Sequence, residues 1–406
     1  MSEWKEYKLG ELTELVTKGT TPTTIGERFI DHGVNFIKSE AVSYDGRIDR
    51  TTFVFITEEA HQKLKRSQLK ADDILFSMAG VFLGKSALVT EDMLPANTNQ
   101  ALAIIRLNKE IALPKFIHFY LRQQGVIEFI NNISGQSAQP NINFEEIKSI
   151  GISLPVLEEQ TAIASVLSSL DDKIDLLHRQ NKTLEQMAET LFRKWFVHRP
   201  ELVEWEDADE GWEEKSLDEI AIFLNGLACQ KYPPKENEVG LPVIKIKEMR
   251  TGITESSDKA AESVPQQYLV NNGDMLFSWS GSLDVILWFG GKGVLNQHLF
   301  KVTSDIYPQW FYYFWTTHHL MEFKGIAEDK ATTMGHIQRK HLTNAKVIVP
   351  DGKSLIEMDN TVRPIFEKIK LNSKQIQSLT KLRDTLLPKL MSGEVRVKMS
   401  ILNHKL

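Results

Sequence analysis

The sequence repeats itself at about half its length, and that repeat constrains the fold more than any single motif. "WKEYKLGEL" from Trp4 is answered by "WEEKSLDEI" from Trp212; Trp4, Glu6, Leu9 and Glu11 match Trp212, Glu214, Leu217 and Glu219 at an offset of 208. Ile37-Lys38 matches Ile244-Lys245 at 207, "DILFSMAG" (73–80) matches "DMLFSWSG" (274–281) at 201, and Asn99-Gln100 matches Asn296-Gln297 at 197. "INFEEIKSIGISLP" (142–155) matches "IQRKHLTNAKVIVP" (337–350) at 195, with apolar positions and the proline in register. The matches are colinear and the offset only falls, the pattern of a duplication with deletions in loops. Such a chain is expected to fold as two copies of one unit.

Each copy has two parts. The first mixes short apolar runs such as "DDILFSM", "ALAIIRL" and "IGISLP", which read as strands, with a helical stretch, "PKFIHFYLRQQGVIEFIN". The second part is a long helix with a heptad seam. Leu170, Ile174, Leu177, Asn181, Leu184, Ala188, Leu191 and Trp195 are spaced by fours and threes. At an offset of 195 stand Ile365, Ile369, Asn372, Ile376, Leu379, Arg383, Leu386 and Leu390. For one short heptad helix, a core-facing amphipathic helix is the better reading. Two matched seams, the first running from near Glu158 to Val197 and so about 60 Å long, point to a spacer. Pro364, where the first half has Ser169, is expected to open or kink the second helix, with Ser354 and Glu357 as a capping box upstream.

If the seams pair with each other they run antiparallel, with one globular domain at each end: an α+β dumbbell with pseudo-two-fold symmetry. Charge favours that pairing. Residues 156–211 carry a net −7 and residues 351–406 a net +5, inside a chain whose total is −6. The acidic excess lies mostly in "ELVEWEDADE" (201–210). Pairing with partner helices remains the alternative.

The 42% hydrophobic and 25% charged content over 406 residues fits folded domains. One cysteine, Cys229, rules out an internal disulfide framework and fits a reducing cytoplasm. The polar start "MSEWKEYKLG" resembles no signal peptide, and no apolar run is long enough to span a membrane.

Ala79 to Ser86 comes within one residue type of a phosphate-binding G-x-x-x-x-G-K-[ST] loop. That loop needs a following helix. Here "ALVTEDMLP" follows, which favours a strand, and the second copy lacks Gly-Lys-Ser. A turn between two strands is the better reading, with a nucleotide hydrolase as the competing hypothesis. No catalytic residues and no metal site are assigned. His318-His319 sits alone on an aromatic helix. The pairs Asp72-Asp73 and Asp171-Asp172 read as a strand start and a solvated helix face.

Residues 154–196, "LPVLEEQTAIASVLSSLDDKIDLLHRQNKTLEQMAETLFRKWF", resemble the central conserved region of the specificity subunits of Type I restriction-modification enzymes. The core of the match is Leu154, Pro155, Leu157, Glu159, Gln160 and Ile163. "LRDTLLPKLMSGEVRV" (382–397) resembles that family's C-terminal conserved end, and the likeness covers essentially the whole chain. The second helix starts without the Pro-x-Leu-x-Glu-Gln form.

The resemblance implies an α+β fold: two α/β target recognition domains separated by two long helices forming an antiparallel coiled-coil spacer. It places target recognition domains at 1–155 and 212–350, the central spacer helix at 156–198, an acidic linker at 199–211, the C-terminal spacer helix at 351–399 and a tail at 400–406. The implied function is non-catalytic. Each domain reads one half of a bipartite double-stranded DNA target, and the helices fix the half-site spacing and dock two methyltransferase subunits. Nuclease/translocase subunits complete the restriction complex. The chain itself would need no cofactor, while its partners would use S-adenosylmethionine, ATP and Mg. A stand-alone bipartite DNA-binding or scaffold protein is the alternative.

Base edges and phosphates are met by amides, hydroxyls and cationic side chains. The polar loops of the first copy offer Lys18, Thr20, Thr21, Lys85, Asn99, Gln100, Gln136 and Gln139. Those of the second offer Gln230, Lys231, Trp279, Ser280, Gln297, His298, Lys330, Thr332 and His336.

Overall fold

The computed structural model describes residues 4–43, 45–80, 83–133, 141–198, 211–329 and 335–397. The chain divides into two compact units, residues 1–172 with 381–406, and residues 173–380. The fold class is α+β.

In the first unit the strand Lys5–Lys8 pairs antiparallel with Gly151–Leu154. A four-stranded antiparallel sheet follows the order Thr13–Lys18, Leu102–Leu107, Ile74–Ser77, Ser86–Leu88. A second sheet has Val34–Ile37 at its centre, antiparallel to Val54–Ile56 and parallel to Ala96–Thr98. The strands between the layers are apolar on both faces: every residue of Ile74–Ser77 is buried, as expected for a sheet covered on two sides.

The second unit repeats this plan. Glu213–Ser216 pairs with Lys346–Val349. The four-stranded order is Ile222–Asn225, Leu299–Thr303, Met275–Ser278, Asp284–Leu287. The second sheet again has a central parallel pair, Leu241–Ile244 with Gly293–Leu295, flanked by antiparallel Lys259–Ala260 and Leu269–Val270. The parallel register joins Ile37 to Thr98 in one unit and Ile244 to Leu295 in the other, the same offsets of 207 and 197 that align the sequence copies.

Two long helices complete the units, Leu157–Phe192 and Gly352–Met391. In each unit the segments of these helices pack antiparallel. In the first, Ile163 and Leu167 share a core with Leu390 and Leu387, and Asp171 bonds Arg383. In the second, Asn181 meets Ile369, Asn372 and Ser373. Among the other seam residues, Ile174, Leu177, Ile369 and Leu390 are buried. Leu170, Leu184, Leu191, Ile365, Ile376, Leu379 and Leu386 are half-buried. No seam residue is exposed.

The far end of each helix packs on the opening segment of the other copy's domain. In the second unit Phe196, in the π-helical turn Arg193–Val197, lies 5.9 Å from Trp212 and 5.5 Å from Phe311. In the first, Leu390 and Met391 join a core with Trp4 and Phe116, whose rings are 6.3 Å apart. Trp4 and Trp212, Phe116 and Phe311, Met391 and Phe196 are repeat partners. Burying each such side chain contributes about 1.5–3 kcal/mol.

Two helix readings are corrected. The second helix starts at Gly352, not at Pro364. Asp351 caps it, accepting from the backbone N–H groups of Lys353 (2.9 Å) and Ser354 (3.0 Å), so Ser354 is inside the helix and not its cap. Pro364 is tolerated mid-helix on an exposed face. Asp171 is also no solvated residue: it accepts from Arg122 and Arg383, each at 2.9 Å, and those guanidiniums are 7% and 9% exposed. Burial alone would raise its pKa, but the two guanidiniums hold its carboxyl below the ordinary value.

Asp73 is likewise buried, in a two-point pair with Arg106 at 2.7 Å. The Glu-Gln of the "LPVLEEQ" stretch is structural too. Gln160 is fully buried; its amide donates to the carbonyls of Pro155 (2.8 Å) and Ile111 (3.0 Å) and accepts from the Leu113 N–H (2.7 Å). Glu159 pairs with Arg396 at 3.3 Å. Among the described residues no helix is long and apolar enough to cross a membrane.

Candidate nucleic-acid interface

In both units the described parts of the polar loops singled out by sequence converge at one end of the four-stranded sheet. The strand Thr13–Lys18 runs out at Lys18, and Ser77 pairs with Leu102 at the same end. The chain then turns so closely that Thr20 N–H bonds the Thr98 carbonyl at 3.0 Å. Gly19 permits this: a Cβ there would lie 2.0 Å from Thr98 O. The second unit does the same. Leu227 N–H bonds Leu295 O at 2.9 Å, and a Cβ on Gly226 would lie 2.2 Å from Asn296 O. This repeat-matched glycine brings the first loop of each unit against its Asn-Gln pair.

The first unit therefore gathers Lys18, Thr20, Thr21, Asn99 and Gln100. The Thr21 hydroxyl bonds the Gln100 side-chain oxygen, and Lys18 and Gln100 are exposed. Arg66, which sequence reasoning missed, joins them by donating to Thr20 Oγ1 at 3.2 Å. Its turn is held by Asn97, fully buried, which donates to Leu64 O and Ser67 Oγ, both at 3.1 Å, and meets His61. Lys85 lies where the strands Ile74–Ser77 and Ser86–Leu88 are joined, its carbonyl accepting from Ser77 N–H at 2.8 Å. Gly-Lys-Ser thus leads into a strand and not a helix, and the phosphate-loop reading falls. Partial burial pushes the Lys85 ammonium pKa down.

In the second unit Trp279, Ser280, Gln297, His298 and His336 come together. The Trp279 indole donates to Asn225 Oδ1 at 3.0 Å. The Gln297 amide donates to His298 Nε2 (3.3 Å), and His298 Nδ1 lies 2.9 Å from the Ser280 hydroxyl. The Trp279 ring lies 6.0 Å from that of His298 and 6.3 Å from that of His336. Beside them opens a cleft of about 430 Å³ lined by Gln230, Lys245, Asp258, Asn296, Gln297 and His298, among others. Lys245 and Asp258 form an ion pair there. Sequence reasoning passed over Lys245, although its match to Lys38 was the available signal. Lys231 is exposed on the turn Cys229–Lys231. Burial pushes the Cys229 thiol up. Gln136, Gln139, Lys330 and Thr332 lie outside the described residues, as do most of the acidic linker and the tail.

His319 donates from Nε2 to the Lys346 carbonyl at 2.9 Å. Among the described residues no three His, Cys, Asp or Glu side chains gather as a metal site.

A family model described as "Type I restriction modification DNA specificity domain" matches residues 1–186 and 209–381. The specificity subunit of the type I restriction enzyme MjaIX of Methanocaldococcus jannaschii is 28% identical, over 98% of this chain and 94% of that protein. The HindI specificity subunit of Haemophilus influenzae is 23% identical, over 97% and 100%. The crystal structure of the S subunit of a Type I restriction-modification system from M. genitalium shares the fold, with a TM-score of 0.57 at 16% identity over 96% of both chains.

Proposed function

Because this chain belongs to the Type I restriction modification DNA specificity family, and so gives such a system its DNA sequence specificity, we propose that each of its two units reads one half of a bipartite target. The observation that carries this is the repeated loop cluster. One backbone scaffold, with one glycine approach and one Asn-Gln pair, is built twice and fitted with different side chains. Two similar readers of unlike sequence are what a split, asymmetric target requires.

In this reading the antiparallel helices hold the readers at a fixed spacing and rotational phase, so only half-sites separated to match are bound together. Joining two short readings multiplies their selectivity, because the second binds at a high effective concentration once the first is engaged. The subunit is non-catalytic and needs no cofactor. Methyltransferase subunits, two in number and using S-adenosylmethionine, dock on it, and restriction subunits using ATP and Mg join them in the cytoplasm. Glu159, Gln160 and Arg396 brace the start of the first helix for that load.

The test lengthens both helices by one heptad at matched positions. Seven residues add about 10 Å of helix, close to three base pairs of DNA. The methylated target of the assembled complex should keep both half-sites and gain a longer gap, by about three base pairs where length alone sets it. An unchanged gap refutes the spacer role.

A further inference from the structure

The two units share a backbone pattern at the loop cluster that shows which positions are free to differ. In the second unit Trp279 N–H bonds His298 O (3.4 Å), Ile337 N–H bonds Trp279 O (3.0 Å), and Ser280 bridges to His336. In the first, Met78 N–H bonds Ala101 O (2.9 Å), Ile142 N–H bonds Met78 O (2.9 Å), and Ala79 bridges to Asn141. These are the same three strand ends tied by the same bonds. Around them Gly19 and Gly226, Lys38 and Lys245, and the Asn-Gln pairs are identical. At the three tied positions the side chains differ entirely: Met78, Ala101 and Asn141 against Trp279, His298 and His336.

Whatever both half-sites have in common, the sugar-phosphate backbone above all, is met by residues that both units keep. Whatever distinguishes the half-sites must be met by residues that differ. Loop length and packing also vary between the units, but these three positions vary on a scaffold that does not. The second unit's set is polar and reachable: His336 is exposed, and Trp279 and His298 are half-buried. In the first unit Met78 is buried and Asn141 exposed, so there Asn141 carries the hydrogen-bonding capacity.

We propose that positions 279, 298 and 336 of the second unit, and their counterparts 78, 101 and 141 of the first, are the specificity-determining positions. His298, His336 and Asn141 would meet base edges, and the repeat-common Lys38 and Lys245 would serve sequence-independent binding. This rests on the bipartite reading above.

The experiment uses the full chain with its methyltransferase partner and a pool of duplexes randomised at both half-sites. The triple variant Trp279→Met, His298→Ala, His336→Asn should change the second unit's half-site and leave the other half-site and the gap alone. Preference for the parent half-site over its best single-base variant should fall by about tenfold or more. His336→Asn alone, at an exposed position, should shift preference in the same half-site without disturbing folding. Asn141→His should shift only the other half-site. Lys245→Ala should weaken binding to all sequences alike and lower the salt slope by about one. If the histidine variants lose affinity evenly across all sequences, or keep the parent half-site, these positions are not readers. If the parent complex shows no gapped preference, the bipartite reading itself fails and this assignment with it.

Discussion

Replacing Asp171 by asparagine removes the one carboxylate shared by two nearly buried guanidiniums. Asp171 is 22% exposed and accepts from Arg122 and Arg383 at 2.9 Å each. Arg383 keeps Asp384 at 2.8 Å, so the penalty falls mainly on Arg122. Breaking a buried ion pair from one side costs about 3–5 kcal/mol, and the retained Asp384 contact puts the value here at about 3. With a urea slope of about 2–3 kcal/mol per molar, the midpoint should drop by roughly 1–1.5 M. Amide hydrogen exchange in the strand Gly151–Leu154 assigns the loss to the first unit. Asp171→Leu combined with Arg122→Met and Arg383→Met removes the buried charges together, and it should recover most of the loss. A midpoint shift under about 0.3 M for the single variant, or a triple variant as weak as the single, refutes this reasoning. The folded pKa of Asp171 is depressed. Its contribution is therefore complete above the unfolded value near 3.8 and is lost as pH falls through the lower folded value.

Gly226→Ala places a Cβ 2.2 Å from the Asn296 carbonyl, and backbone must move to admit it. A cost of about 3 kcal/mol and loss of second-half-site recognition are expected, measured by thermal unfolding and duplex binding. Asn372, fully buried, donates to Asn181 at 2.9 Å. Either asparagine changed alone to leucine should destabilise by about 1–3 kcal/mol, and the double change should be neutral or stabilising by denaturant titration. His118 is buried and held neutral, its pKa pushed down from 6.5 to about 3 by burial and by Arg122. The unfolded chain takes up this proton first, so stability should fall as pH drops from about 6.5 toward 3, and His118→Phe should flatten that slope in pH-dependent unfolding.

The duplication, the strand-rich units and the heptad seams were legible because each leaves a periodic or colinear trace. The offsets of 207 and 197 reappear as strand register. Asn181 and Asn372 occupy different places in their own repeats, and only the antiparallel pairing makes them neighbours. Asp171 looked solvated because its partners stand 49 and 212 residues away. Arg66 joins the loop cluster through a tertiary contact that no local pattern announces, and Lys245 shows in the sequence only through its repeat match to Lys38. Helix start signals misled at Pro364, since a capping aspartate thirteen residues earlier outweighs one missing mid-helix N–H.

The account's central claim is that this chain imposes a two-part sequence choice on DNA methylation. Adenine methylation should be mapped across host DNA with and without the gene. A gapped motif that vanishes with the gene, and of which one half alone changes when residues 1–155 are exchanged for those of a relative, is the predicted result. A methylation pattern indifferent to the gene, or an exchange that alters both halves, contradicts it.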